Sequence, residues 1–152
     1  MSDAPASHFI YEDDPAAPGW KRWELRDAAH RYNGFLGPIH VRPEGDIVRV
    51  RMTPEVRHSN LREQVHGGAL LGFIDVSLFA AARGFGVLSA GPAATIDLSV
   101  QFVAGGTVGE PLEARIELLR ETGRILFLRG LIVQSHGNVA SFGGTIRKPA
   151  AA

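Results

Sequence analysis

Residues 66–84 read HGGALLGFIDVSLFAAARG. The stretch is rich in Ala and Leu, has few β-branched residues and is far too long for one strand, so it predicts a helix over about 67–83. Apolar residues occupy every side of that helix, which implies burial on nearly every side. It falls short of the roughly 20 apolar residues a membrane span needs, and Gly72, Asp75 and Ser77 interrupt it. Gly84 and Gly86 are expected to end it.

Downstream the period changes to two. In residues 95–102, Ile96, Leu98, Val100 and Phe102 alternate with Thr95, Asp97, Ser99 and Gln101. Residues 112–118 alternate apolar and charged, and Glu121-Thr122-Gly123-Arg124 reads as a hairpin turn. Residues 125–134 and 139–146 supply two more strands, joined near His136-Gly137-Asn138. Upstream, Phe35–Val41 and Asp46–Met52 read as strands separated by the turn Pro43-Glu44-Gly45, and residues 53–65 as a loop. Pro5, Pro15, Pro18 and the acidic run Glu12-Asp13-Asp14 mark residues 1–19 as a loosely held arm, with a short helix expected within 20–34. The organisation expected is an arm over 1–34, a folded body over 35–148 and a flexible tail over 149–152. The body is an α+β fold: two strands, one long helix, then four antiparallel strands, the curved sheet wrapping the helix. Such a sheet has open edges, which a chain this small covers most easily by pairing with a copy of itself.

Composition narrows the chemistry. The chain has 152 residues, 16 Lys+Arg against 16 Asp+Glu, and 45% hydrophobic residues, as an ordinary one-domain globular protein does. Zero formal net charge gives no electrostatic reason to bind nucleic acid or an anionic membrane. With no cysteine there is no disulfide, thiol nucleophile or cysteine-ligated metal. The polar, acidic N-terminus lacks the features of a signal peptide, which makes the cytoplasm the expected location. The histidines show no metal-like spacing, so no metal is expected.

Between Glu63 and Arg83 the only formally charged residue is Asp75. Burying a lone carboxylate costs several kcal/mol, so Asp75 either caps and packs the helix, points to solvent through a gap, or marks a functional site. His66-Gly67-Gly68 falls where the helix begins, with unpaired N–H groups and the positive end of the macrodipole. The glycines either admit a ligand oxygen to those N–H groups or simply permit a tight turn into the helix. Gly67 and Asp75 stand eight residues apart, about 12 Å along a helix axis. A carbonyl-polarising donor and a base acting on one carbonyl must both lie within about 3–3.5 Å of the reacting atoms. If both act, the site takes one from each of two antiparallel copies.

The run His58-Ser59-Asn60, His66-Gly67-Gly68, Asp75 and Thr95-Ile96-Asp97-Leu98 resembles the hotdog-fold acyl-CoA thioesterases of the PaaI-like (4-hydroxybenzoyl-CoA thioesterase) superfamily. The pattern Asn-x5-His-Gly-Gly-x6-Asp is met without insertion, and Gly109-Glu110-Pro111-Leu112 and the Gly123-Arg124 hairpin match later landmarks. The resemblance spans roughly residues 35–147. It implies a hotdog fold, hydrolysis of an acyl-CoA to acid and CoA, and a homodimer or homotetramer with the site at the dimer interface. It also implies roles. Asp75 would be the general base or nucleophile, and the Gly67 N–H would polarise the thioester carbonyl. Asn60 would help hold that carbonyl or the water, and Thr95 would orient the water. His66 would fix the loop from beside Gly67. No cofactor is implied beyond the CoA of the substrate. Gly68 and Phe73, with Leu70 and Phe79, are candidates to meet substrate, and Arg120 and Arg124 to hold the nucleotide end of CoA. Trp20, Trp23, Tyr32 and Phe35 would either lid an acyl pocket or pack the arm onto the body. Asp97, two residues after Thr95, is a reserve carboxylate. A hotdog hydratase or dehydratase and a non-catalytic acyl-CoA-binding protein are the alternatives.

Overall fold

The computed structural model describes residues 8–88 and 92–150. Residues 1–7 of the expected arm, Gly91 and the last two alanines of the tail lie outside the described residues. The expected helix is α2, Gly67–Gly84. The other helix of α type is short, α1 (Tyr32–Leu36). Eight strands form one antiparallel sheet: β1 (Phe9–Asp13), β2 (Lys21–Leu25), β3 (His40–Glu44), β4 (Ile47–Met52), β5 (Ala94–Phe102), β6 (Leu112–Glu121), β7 (Ile125–Gln134) and β8 (Gly137–Arg147). Their order across the sheet is β1-β2-β3-β4-β6-β7-β8-β5, so β1 and β5 are the edges.

The sheet wraps α2, which meets β3, β4, β5, β6 and β8. Inward residues of β4 (Val48, Val50, Met52) and β6 (Leu112, Ala114, Ile116) alternate with outward arginines and glutamates, as one covered face requires. Against them lie Phe73, Ile74, Leu78 and Ala80–Ala82 of α2, all fully buried. Burial of each large side chain of this set contributes about 1.5–3 kcal/mol. Ser77 is the helix's one buried polar residue, and its hydroxyl donates to the Phe73 carbonyl at 2.6 Å. At the C-terminal end the helix runs close to β3 and β4. A Cβ at Gly84 would stand 2.8 Å from Val48 Cγ1, so the approach needs glycine there.

The helix is not buried on every side. Gly68, Leu71, Gly72, Asp75, Phe79 and Arg83 are exposed or half-buried, and their spacing of three and four residues puts them on one stripe. The sheet covers one side of the helix only, and the expectation of near-complete burial is corrected accordingly.

The N-terminal reading also changes. Residues 9–25 form a hairpin rather than a loose arm, with Phe9 opposite Leu25 and Asp13 opposite Lys21. Cross-strand charge pairs (Lys21 with Asp13 at 2.9 Å, Arg22 with Glu12) and the stacked rings of Phe9 and Trp23, 4.4 Å apart, hold it together. The short helix expected within 20–34 is displaced to Tyr32–Leu36, preceded by a single 3-10 turn at Ala28–His30. The strand expected from Phe35 starts instead at His40, because Phe35 and Leu36 complete α1. The β3–β4 turn lies at Gly45-Asp46, with Pro43 inside β3 opposite Val48. β2 pairs with β3 only through Lys21–Val41 and Arg22–His40, so Pro43 lies beyond that pairing.

On the outer face Arg49 forks onto Glu113, with contacts of 2.5 and 2.9 Å, and also reaches Glu44 at 2.8 Å. Trp20 lies beneath Arg49 and Arg51, whose guanidinium carbons stand 5.2 and 4.2 Å from the ring centroid. Burial pushes the Glu113 carboxyl up, but the hydrogen bonds from Arg49 and Arg115 outweigh it and hold the group below its usual value. A carboxyl lowered in the folded state adds stability above its unfolded value of about 4.3, and that stability fades as pH falls through the folded value. Replacing Glu113 with Gln should therefore cost about 1.5–3 kcal/mol in urea melts at pH 7. The gap from wild type should close as the pH is lowered through the carboxylate range.

Candidate active site

The entry to α2 is set by two histidines. His66 is the N-cap, and its Nδ1 accepts the Gly68 N–H at 2.8 Å. The His66 N–H in turn donates to the His58 carbonyl at 2.7 Å. His58 is 1% exposed, and its ring joins two segments: Nδ1 accepts the Glu55 N–H at 2.9 Å, and Nε2 donates to the Phe35 carbonyl at 2.7 Å. Backbone N–H can only donate, so the accepting Nδ1 places the proton on Nε2. The Gly68 N–H, a candidate to meet substrate, is thus engaged by His66. Gly67, the first helical residue, has the Phe102 ring at its side. The nearest atom to a Cβ there would be a Phe102 ring carbon at 3.7 Å.

Asp75 lies in the middle of α2 on its outward stripe and is half-buried. The Thr95 hydroxyl donates to its Oδ1 at 2.5 Å. Strict alternation along β5 would turn Thr95 away from the helix, opposite to Leu98 and Val100. A β-bulge between Thr95 and Asp97 prevents that: Thr95 pairs with Ile146 and Asp97 with the next residue, Thr145. The extra residue, Ile96, brings Thr95 to the side of Leu98 and Val100, facing α2. The same bulge puts Asp97, which is exposed, on the face opposite Thr95, whereas the two-residue spacing of a regular strand would put both on one face.

The other expected site residues are scattered. Asn60 Oδ1 accepts the Arg62 N–H at 2.8 Å and the Gln64 N–H at 3.2 Å, which shapes the loop ahead of His66. Phe73 is fully buried in the core on the far side of α2 from Asp75, so it is not placed to meet a substrate beside that carboxylate. Leu70 is buried in the same core. Arg120 and Arg124 are exposed at the β6–β7 end of the sheet. Among the described residues no three His, Asp or Glu side chains gather where they could hold a metal ion.

A cavity of about 600 Å³ opens beside Asp75. One wall is α2 (Asp75, Phe79 and Arg83 of the outward stripe, with Val76 beside them), and the other is the N-terminal hairpin and α1 (Phe9, Trp23, Leu25, Tyr32). Of the aromatic residues read from sequence as lid or packing, Trp23 and Tyr32 line this space, whereas Trp20 packs on the outer face. Tyr32 lies against Gly72, one turn before Asp75: a Cβ at Gly72 would stand 1.9 Å from the phenol oxygen. Partial burial, and next the charge of Asp75, hold the Tyr32 phenol above its usual value. Phe9 and Arg83 were missed from sequence. Arg83 follows Asp75 by eight residues on one helical stripe, a signal that spacing alone carried.

A model of the thioesterase superfamily matches residues 64–141, just over half of the chain. No curated protein matches. Solved structures share the fold. The TT0310 protein of Thermus thermophilus is 27% identical, with a TM-score of 0.61 over 75% of this chain and 93% of that one. The Escherichia coli PaaI protein from the phenylacetic acid degradation operon is 22% identical, with a TM-score of 0.68 over 84% of this chain and 88% of that one. A hypothetical thioesterase from Streptococcus pneumoniae, solved with coenzyme A, is 16% identical, with a TM-score of 0.62 over 72% of this chain and 87% of that one. With the matched stretch running from the loop before α2 into β8, and with a sheet wrapped around one helix, the chain belongs to the thioesterase superfamily and has its hotdog fold.

Proposed function

We propose that the protein hydrolyses acyl-CoA thioesters to the free acid and CoA, with Asp75 as general base, in a site shared by two copies of the chain. The observation that carries the reading is the Asp75 carboxylate. It stands on the exposed stripe of a core helix, is held by the Thr95 hydroxyl at 2.5 Å, and faces a cavity wide enough for an acyl group. The bound CoA in the Streptococcus structure supports CoA as the thiol half of the substrate.

In this scheme Thr95 occupies one carboxylate oxygen and leaves the other to take a proton from water. The water oxygen adds to the thioester carbonyl, the carbonyl electrons move onto oxygen, and an N–H at the start of α2 stabilises that charge. Collapse of the adduct breaks the C–S bond, the proton held by Asp75 passes to the leaving sulfur, and CoA leaves as thiol and the acyl group as acid with the carboxylate regenerated. A thioester is an activated acyl donor, so base, water and a helix start suffice.

The two-copy requirement follows from distances within one chain. α2 is unbroken from Gly67 to Asp75, so the pair stays about 12 Å apart. Edge strand β5 runs alongside both: Phe102 lies beside Gly67, and Thr95 is bonded to Asp75. This edge leaves Ile96 and Phe102 more than half exposed. If β5 pairs antiparallel with β5 of a second copy about a two-fold axis, the Thr95 end of one strand lies beside the Phe102 end of the other. That brings the Asp75 of one copy towards the helix start of its partner. The opposite edge, β1, is a poorer candidate, being five residues long with charged Glu12 and Asp13.

Free-thiol release from a panel of acyl-CoA substrates tests the activity. Asp75→Asn should lower kcat by about a hundredfold or more, with a circular dichroism spectrum like that of wild type. Equal rates in the mutant would remove Asp75 as the base, and acyl-CoA binding without thiol release would make the protein a binding module. Thr95→Val should lower kcat while Thr95→Ser retains most of it, because serine keeps the hydroxyl. Sharing of the site is tested by mixing. Gly67→Val and Asp75→Asn should each be inactive alone, and co-expression should restore activity through hybrid oligomers that hold one intact site. No recovery in verified hybrids would place the whole site within one chain.

A further inference from the structure

We propose that the N-terminal hairpin and Tyr32, which lie outside the stretch matched by the family model, form the acyl-binding wall of this site and set which acyl groups it accepts. The inference rests on the thioesterase reading for the identity of the occupant as an acyl group.

The cavity beside Asp75 extends along α2 in one direction. Its helix wall runs from Asp75 through Val76 and Phe79 to Arg83, eight residues and so about 12 Å. An acyl chain whose carbonyl carbon sits at Asp75 has Val76, Phe79, Phe9, Trp23 and Leu25 as its apolar contacts along this trough. Arg26, Asp27, Arg31 and Arg83 also line it. The facing wall comes from residues 9–32, whereas the family model begins at residue 64. Phe9 and Trp23 stack within that wall, so it presents a stiff apolar surface rather than a loose arm. The volume, about 600 Å³, lies within the roughly 300–1,000 Å³ of small-molecule sites. It far exceeds what an acetyl group fills. The class of substrate is thus a bulky apolar acyl group, aryl or medium-chain, in preference to acetyl.

Tyr32 is the specificity-determining residue of that wall. It sits beside Asp75 in the lining, and its phenol oxygen lies on Gly72 where any side chain would collide with it. Gly72 thereby lets the phenol end of the ring rest against the helix at the carbonyl end of the trough. The collision partner is the tip of a half-exposed side chain, so alanine at 72 displaces the ring without disturbing the core. Alanine is also the better helix former, by about 1 kcal/mol.

Three variants test the wall. Leu25→Phe narrows the trough from the hairpin side. Gly72→Ala and Tyr32→Ala move or remove the ring. Leu25→Phe should lower kcat/KM for octanoyl-CoA by about tenfold or more relative to acetyl-CoA, the discrimination a hydrophobic pocket gives for small changes in size. Gly72→Ala and Tyr32→Ala should shift the octanoyl-to-acetyl ratio by a similar factor and agree with each other in direction. A ratio within twofold of wild type in all three, with melting temperatures preserved, would overturn the proposal and leave the thioesterase reading intact. A second readout needs no turnover. In a Trp20→Phe background Trp23 is the only tryptophan, and decanoate should change its emission saturably, more weakly when Leu25→Phe is added. That response in a protein that releases no thiol would reject the thioesterase reading while keeping the cavity as an acyl site. No response would reject the cavity.

Discussion

An 18-residue helix whose only charges are Asp75 and Arg83 has to be taken out of water, and the rest of the fold answers to that constraint. The antiparallel sheet curves around α2, and its inward Val, Ile and Leu side chains meet Phe73, Ile74 and Leu78. A sheet can enclose a helix from one side only. The remaining stripe, Gly68 to Arg83, is left to the hairpin, to solvent or to another copy. Every group proposed for chemistry lies on or against that stripe. The site therefore occupies the seam that wrapping leaves open, not a pocket carved from the core.

Along that seam the hydrogen bond from Thr95 to Asp75 ties α2 to the sheet edge. It depends on a single extra residue in β5. Without Ile96 as a bulge, Thr95 would face away from the helix and the carboxylate would lose its partner. The edge strand thus has two duties. One end orients the carboxylate, and the other, through Phe102, lies beside the helix start. Edge strands are liabilities in isolation, and with the proposed catalytic groups along one, the proposed pairing with a second copy would have a functional as well as a structural use.

The N-terminal hairpin extends the sheet past β3 but joins it through only two residue pairs. Its apolar residues Phe9, Tyr11 and Trp23 pack onto the core cluster, and Tyr11 lies under Arg83 with the guanidinium carbon 5.2 Å from the ring centroid. Two positions on α2 suit this cover: Gly72, which admits Tyr32, and Arg83, which meets Tyr11.

The helix was legible in the sequence to within a residue, because eighteen mostly apolar residues rich in Ala and Leu have no other stable form in a small domain. The strands after it were legible from their period of two, although β6 and β8 run longer than the pattern indicated. Asp75 stood out as the lone acid in an apolar run, and the 12 Å between it and Gly67 follows from helical rise alone. These features are local, and the sequence by itself determined them. The hairpin over residues 9–25 was not legible, since its prolines and acidic run describe a loose arm until partner strands and cations meet them. Nor was the bulge at Ile96, which is a matter of register against β8 rather than of residue type. Phe73 and Phe79 look alike in sequence, and only the direction from which the sheet approaches sends one to the core and the other to the cavity. Tertiary structure decided each of these, because each depends on what a distant segment places opposite.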